Sequence, residues 1–279
     1  MKLYDMAKGI CCSDYQVRGC RPLLAVIAGE EYSVRIDCGA SPAHRLEYEK
    51  LYLQMHPGSN IKKTVLTHGH WDHFAGGKGD TQLIMSAAAW EDICAQKKGT
   101  KHTFSLNGML AEYGADCLPD HIWQSSIPDR LLHVDEKVTE LDLGGRRVRL
   151  HVLDSDHASG NILIEVPREG IVFIGDAIYL GEEADKWFYT RKIHSIIDYM
   201  KQMDAKWYVG SHREPMNMKE LIQFDQHLRQ LEEMTDGIHT EMMMKKKYIE
   251  KYGSMPKPVL LEELMWLVNG NRRQLYEGK

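Results

Sequence analysis

The chain has 279 residues, 43% hydrophobic and 27% charged, which is enough for one large core and excludes global disorder. A formal charge of −5 and a pI of about 6.3 carry no overall bias toward nucleic acid or an anionic membrane. Residues 1–6 lack a continuous apolar core of a signal peptide, and no run of about 18 apolar residues occurs, so a cytoplasmic protein that neither enters a membrane nor binds nucleic acid is expected.

The six cysteines, Cys11, Cys12, Cys20, Cys38, Cys94 and Cys117, include no Cys-x-x-Cys pair, and reduced thiols are expected in that compartment. Cys11 and Cys12 are adjacent, a poor placement for joint chelation, and read as small buried hydrophobes. Residues 23–27 and 32–36 are short apolar runs joined through Gly29-Glu30-Glu31, the pattern of a strand pair. Asp37-Cys38-Gly39 follows, then a helical stretch over 45–56. Lys63-Thr64-Val65-Leu66-Thr67 reads as a buried strand.

That strand delivers His68-Gly69-His70-Trp71-Asp72-His73-Phe74-Ala75-Gly76-Gly77, with three histidines and a carboxylate within six residues. On an extended or turning backbone His68 and His70 point the same way and can chelate one cation. Asp72 and His73 face a different direction, which suits a second cation about 3.5–4 Å away.

The chain then returns as a strand over 81–86 and a helix over 87–97. Residues 99–128 carry Pro119, Pro128 and several glycines around a helical segment, and form a candidate lid whose Phe104, Tyr113, His121 and Trp123 are positioned to touch substrate or to pack. A hairpin spans 138–152 through Gly144-Gly145. Val148, Leu150 and Val152 face its core side, while Arg147, Arg149 and His151 face outward, so His151 reads as a strand residue and not a ligand. His157 lies in the turn 154–161, Asp176 after the apolar run 170–174, and His212 after the strand 206–209. Beyond Pro215 the pattern is helical, with Leu221, Phe224, Leu228 and Leu231 at three- and four-residue spacing and another apolar stretch over 260–268. Met242-Met243-Met244 beside Lys245-Lys246-Lys247 reads as a packed methionine edge next to a solvated lysine face.

His-x-His-x-Asp-His followed by Gly-Gly resembles the signature of the metallo-β-lactamase-fold hydrolases, and the likeness extends over about residues 20–215. It implies an α/β fold, a four-layer αβ/βα sandwich with C-terminal helices. The expected division is a catalytic domain over 1–215 and a helical extension over 216–279 that docks on it or forms a homodimer contact. By the same resemblance His68, His70 and His157 hold one metal, Asp72, His73 and His212 hold another, and Asp176 bridges them. Asp37 lies beneath the site and orients its loop. The cofactors implied are two divalent metal ions, zinc by preference, with iron or manganese as alternatives. A hydroxide shared by the two dications would attack the substrate, with Asp72 orienting it while remaining a ligand.

The sequence departs from the family where Gly-His-Gly often precedes Glu-Pro. Here Ser211-His212-Arg213 precedes Glu214-Pro215, so Arg213 can reach an anionic substrate group or pair with Glu214. A glutamate in place of His70 would mark the flavodiiron branch, Asp176 argues against a true β-lactamase, and the 36 residues from Asp176 to His212 leave no room for a nuclease insert. Hydrolysis of a small ester-like molecule, a thioester or lactone by preference, is therefore expected, in a glyoxalase II or lactonase-like branch. Phosphodiesterase-like or sulfatase-like hydrolysis, and a ligand-binding regulatory protein with little turnover, are the competing readings.

Overall fold

A computed structural model describes residues 1–77, 82–98, 131–181 and 186–277. The candidate lid over 99–128, with Phe104, Tyr113, His121 and Trp123, lies outside the described residues. Two compact units emerge: the first comprises Met1–Asp154, Ala158–Asp176 and Ala205–Pro215, and the second comprises Ser155–His157, Ala177–Asp204 and Met216–Lys279.

The first unit is built on two sheets. The seven-stranded sheet runs in sequence order: β1 (Leu3–Ala7), β2 (Ile10–Ser13), β3 (Ala25–Ala28), β4 (Ser33–Ile36), β5 (Ile61–Val65), β6 (Gln82–Met85) and β7 (Leu131–His133). Its first four strands pair antiparallel and its last four parallel. The five-stranded sheet has the order β12-β11-β10-β9-β8, from β8 (Val138–Asp142), β9 (Arg147–Leu153), β10 (Asn161–Val166), β11 (Ile171–Gly175) and β12 (Trp207–Gly210). Only β11 and β12 pair parallel there.

Period-two alternation explains how the sheets stack. Ile10, Cys12, Ala25, Ile27, Val34, Ile36, Val65 and Ile84 point inward from the first sheet, and meet Val148, Leu150, Ile162, Ile164, Ile171, Phe173 and Val209 of the second in one core. The opposite face of the first sheet carries Cys11, Leu24 and Val26 under Tyr48 and Tyr52 of α1 (Pro42–Met55). Leu83 and Met85 share a further cluster with Ile93 of α3 (Ala87–Lys97). Ser41 caps α1 by accepting from His44 N, and Pro42 follows at the first helical turn, where a missing N–H costs nothing.

Three sequence expectations are corrected. A hairpin, β1 and β2, precedes the expected first strand pair. His151 does point to the face opposite Val148 and Leu150, on which Arg147 and Arg149 are exposed, but its own position is closed: His151 is buried and its Nε2 lies 2.9 Å from Glu165 Oε2. Its expected solvent exposure is therefore wrong, because periodicity assigns a face and not what covers it. The methionine edge is also revised. Met244 is buried, while Met242 and Met243 are exposed at 78% and 43%.

The second unit is helical: α4 (Thr190–Lys201), α5 (Met218–Thr235), α6 (Glu241–Tyr252) and α7 (Pro258–Glu277). A capping box, with Asn217 and Glu220 each bonding the other's backbone N–H, starts α5 and buries Leu221, Leu228 and Leu231 on one face. Leu264, Leu267 and Val268 are the buried face of α7. No described helix is long and apolar enough to cross a membrane.

Candidate metal centre

β5 ends at Val65, and the chain leaves the sheet as a loop held on both sides. Leu66 N donates to Ile84 O at 2.8 Å, and Thr67 N donates to the Asp37 carboxylate at 2.7 Å. Gly69 is needed as the loop passes α3, since a Cβ there would lie 2.7 Å from Ala89 O. His70 then opens α2, a single turn over Trp71–Phe74. Trp71 and Phe74 are buried in the apolar cluster beneath α3, which anchors the turn and leaves Asp72 and His73 to face the other donors.

Asp37 sits at the end of β4 with φ 58°, a left-handed conformation that aspartate tolerates better than most side chains. Fully buried, it accepts from Thr67 N, from Thr67 Oγ1 at 3.0 Å and from His73 Nδ1 at 2.8 Å. With Nδ1–H given to Asp37, Nε2 is the nitrogen left to ligate a cation once the cation displaces its proton. That Nε2 is buried, has no well-aligned hydrogen bond among the described residues, and lies 3.3 Å from Asp176 Oδ2 and 3.6 Å from Asp72 Oδ2.

Asp176 follows β11 beyond Gly175. Gly175 has φ +52° and packs against Thr67, where a Cβ would come within 2.8 Å. Asp176 Oδ2 is 3.3 Å from His73 Nε2, 3.6 Å from His212 Nε2 and 4.0 Å from His68 Nε2. His212 comes from the loop after β12, where Ser211 N donates to Gly175 O and Leu23 N donates to Ser211 O. Its Nε2 is 2.9 Å from Asp72 Oδ2. His68 and His70 stand edge to face with ring centroids 4.6 Å apart, and His68 and His73 are 4.0 Å apart. The donor atoms of His68, His73 and Asp176 form one group able to hold an ion, and those of Asp72, His73 and His212 form another.

The charges make the same point. Burial opposes a charge on His73, but Asp72 and Asp37 outweigh it and raise its pKa well above the usual range. Burial likewise opposes a charge on His212, and Asp176 and Asp72 raise it. Asp72 is pushed up by burial yet held below the ordinary carboxylate value by His73 and His212. The carboxylates thus hold positive charge on the imidazoles facing them, and a divalent cation can take the place of those protons with the donor types zinc takes. The residues fit a metal centre.

His157 belongs to the second unit. Its Nδ1 lies 2.8 Å from Leu180 O, which fixes the ring through one nitrogen. The Arg213 stem lies over Gly210, where an added Cβ would be 2.7 Å from Arg213 Cγ.

Sequence patterns did not reveal three supporting residues. Gln96 donates to Gly69 O at 2.7 Å and fixes the motif loop from α3. Arg45 donates to Gly76 O at 2.6 Å. His44 is fully buried, accepts from Ala40 N, and has a pKa pushed down to about 3 by burial and by Arg21. Each lies in an ordinary helical stretch, and no spacing distinguishes it from a surface residue.

The chain matches the family model described as the metallo-beta-lactamase superfamily over residues 19–212. No curated protein matches it. Among solved structures it is similar to a metallo-beta-lactamase family protein from Thermus thermophilus, with 16% identity and a TM-score of 0.62 over 98% of this chain and 95% of that one. A beta-lactamase domain protein from Burkholderia ambifaria aligns with 15% identity and a TM-score of 0.63, over 99% and 88% of the two chains. The stereoselective inverting sec-alkylsulfatase from Pseudomonas sp. aligns with 15% identity and a TM-score of 0.61, over 99% of this chain and 50% of that one. At such identities the structures speak for the fold, whereas the family model covers most of the chain and both ends of the donor set. The chain therefore belongs to the metallo-β-lactamase superfamily, and the donors it gathers make it a metal-dependent hydrolase.

Proposed function

We propose that the protein hydrolyses a small ester-like molecule, with a thioester or lactone carbonyl as the favoured electrophile, in the manner of the glyoxalase II and lactonase branch. The observation that carries hydrolysis is the convergence of His68, His73 and His212 on one oxygen of Asp176. His68, His70 and His157 would hold one cation and Asp72, His73 and His212 the other, with Asp176 shared. Zinc is the favoured metal for such imidazole-rich donors, and iron or manganese would serve the same residues. Bound dications supply Lewis acidity that acidifies water and stabilises negative charge developing on substrate oxygen.

The chain's own residues supply the rest. Asp37 holds His73 in one tautomer, and Leu180 O tethers His157 in the same way. Asp176 contributes the negative charge that keeps two cations close. Asp72, fixed by His212, is placed to orient the attacking water, and burial of these donors keeps their field strong. Arg213 would either meet an anionic group on the substrate or pair with Glu214.

The carbonyl preference rests on the acidic chain and on the short Asp176–His212 interval, which leaves no nucleic-acid-binding insert. A sulfate ester is the second reading, supported by structural likeness to a sec-alkylsulfatase over 99% of this chain. The test is a comparison of kcat/KM for thioesters, lactones, phosphodiesters and secondary sulfate esters at equal metal loading, with ligand-induced melting shifts recorded alongside. The highest value for a thioester or lactone is expected. A far higher value for a sulfate ester or phosphodiester overturns the substrate choice, and melting shifts without turnover of any class point to a binding protein.

A further inference from the structure

A second group of donors stands on the outer face of the seven-stranded sheet. Asp5 and Cys11 are direct cross-strand partners in the β1–β2 hairpin, so their side chains share a face. That is the face on which α1 packs, for Cys11 clusters with Tyr48 and Tyr52 and its carbonyl accepts from the Tyr48 hydroxyl at 2.8 Å. α1 ends at Met55, and the next residue, His56, closes the helix by donating its backbone N–H to Tyr52 O. Its ring packs at a tilt against Tyr52, with centroids 4.8 Å apart. Cys11 Sγ, a ring nitrogen of His56 and a carboxylate oxygen of Asp5 thus come within 4.8 Å of one another, from three elements.

The chemistry of the three is that of a cation site. His56 Nε2 is a buried atom with no hydrogen bond among the described residues, and lies 3.2 Å from Asp5 Oδ1. Ligands at about 2.0–2.2 Å from a tetrahedral zinc ion are separated by about 3.3–3.6 Å, so this pair needs to open by only about 0.1–0.4 Å to span one edge of such a site. Cys11 is 1% exposed, and burial, followed by Asp5, pushes its thiol up to about 12. The thiol keeps its proton beside that carboxylate until a cation displaces it, as thiolate coordination does. Asp5 and His56 retain side-chain exposures of 46% and 27%, which leaves a route for the ion and for a water as fourth ligand.

We infer that Asp5, Cys11 and His56 form a second, independent site for a soft divalent cation such as zinc, tying the N-terminal hairpin to the end of α1. Sulfur, imidazole and carboxylate together select zinc over magnesium or calcium. The site shares no residue with the hydrolytic centre and stands whether or not the proposed substrate is right.

Cobalt titration of the metal-stripped full chain tests it, because the donors assigned to the hydrolytic centre include no sulfur. Cobalt should give a thiolate-to-metal charge-transfer band that saturates at one ion per chain beyond those taken by the hydrolytic centre. The band should vanish in Cys11→Ala and survive in Cys38→Ala. In His56→Gln, which alters a partly exposed residue and spares the core, cobalt affinity read from the same band should fall at least tenfold. No thiolate band at saturating cobalt, a band that persists in Cys11→Ala, or an unchanged affinity in His56→Gln overturns the assignment.

Discussion

Asp37 and His73 are 36 positions apart in sequence, yet Asp37 Oδ2 accepts from His73 Nδ1 at 2.8 Å in a fully buried setting. The relationship decides which nitrogen of His73 faces Asp72 and Asp176. Asp37→Asn should preserve the bond from Thr67 N while presenting an amide where a carboxylate held the ring. Metal affinity, measured by competition with a chelator, should fall by about 10–100-fold with little change in fold. Unchanged affinity would mean that His73 is oriented by packing alone.

Asp176 lies within 4.0 Å of three imidazole nitrogens. Asp176→Asn keeps its shape and removes the charge that balances two cations, so both metals should be lost and most hydrolysis with them. His151→Ala provides the contrast. It should leave metal content unchanged and lower stability by about 1–3 kcal/mol, since Glu165 loses its buried partner. Elemental analysis and denaturant unfolding separate the two effects, and loss of metal in His151→Ala would contradict the assigned face.

Alternation in the 138–152 hairpin made the inward face of β9 legible, because period two is a local property, whereas β3, β10 and β11 are built on continuous apolar runs that mark strands without marking a face. His68, His70, Asp72 and His73 drew notice by their spacing after a strand, whereas His157, Asp176 and His212 were singled out through the family resemblance. Other features depend on what another segment places overhead. β1 and β2 carry Asp5, Cys11 and Cys12 in no clear alternation, and become strands through pairing and through cover by α1. His151 was assigned to the correct face of β9, but only the folded chain reveals that this face, open at Arg147 and Arg149, is closed at His151. Met242 and Met243 show the reverse case, apolar by type and exposed in place.

Gly76 is a sharp steric requirement in the motif. A Cβ there would lie 2.1 Å from Cys38 O and 2.8 Å from Ser41 O, while Gly76 N donates to Gly39 O and its carbonyl accepts from Arg45. The clash involves backbone on both counts, so no side-chain movement relieves it. Gly76→Ala should destabilise the protein by about 2–4 kcal/mol and reduce metal retention, as α2 is forced off its bed. A melting temperature and metal content equal to the parent's would show that the loop can relax around a methyl group.

The helical unit should set part of the pH dependence through Asp225, which is 4% exposed. Its Oδ1 is 2.6 Å from His194 Nδ1 and its Oδ2 is 2.7 Å from Lys201 Nζ, so α4 and α5 are joined by one carboxylate. Burial pushes the Asp225 pKa up, but Lys201 and His194 outweigh it and hold it below the ordinary value of 3.8. A depressed carboxylate contributes stability above its unfolded pKa, and that contribution is lost as pH falls through its folded pKa. The loss therefore falls below about pH 4. Lys201 behaves oppositely: burial lowers its pKa, yet Asp225 and Asp198 raise it above 10.5, so its contribution disappears only as pH rises through that higher value. Asp225→Asn should cost about 1–3 kcal/mol at neutral pH, because Lys201 and His194 lose the buried carboxylate between them and keep only the more exposed Asp198 and Glu232. Unfolding free energies between about pH 3 and 5 should depend less steeply on pH in the variant than in the parent. Equal slopes in that range, together with an unchanged stability at pH 7, would remove Asp225 from the acid response and leave the contact between α4 and α5 to apolar packing.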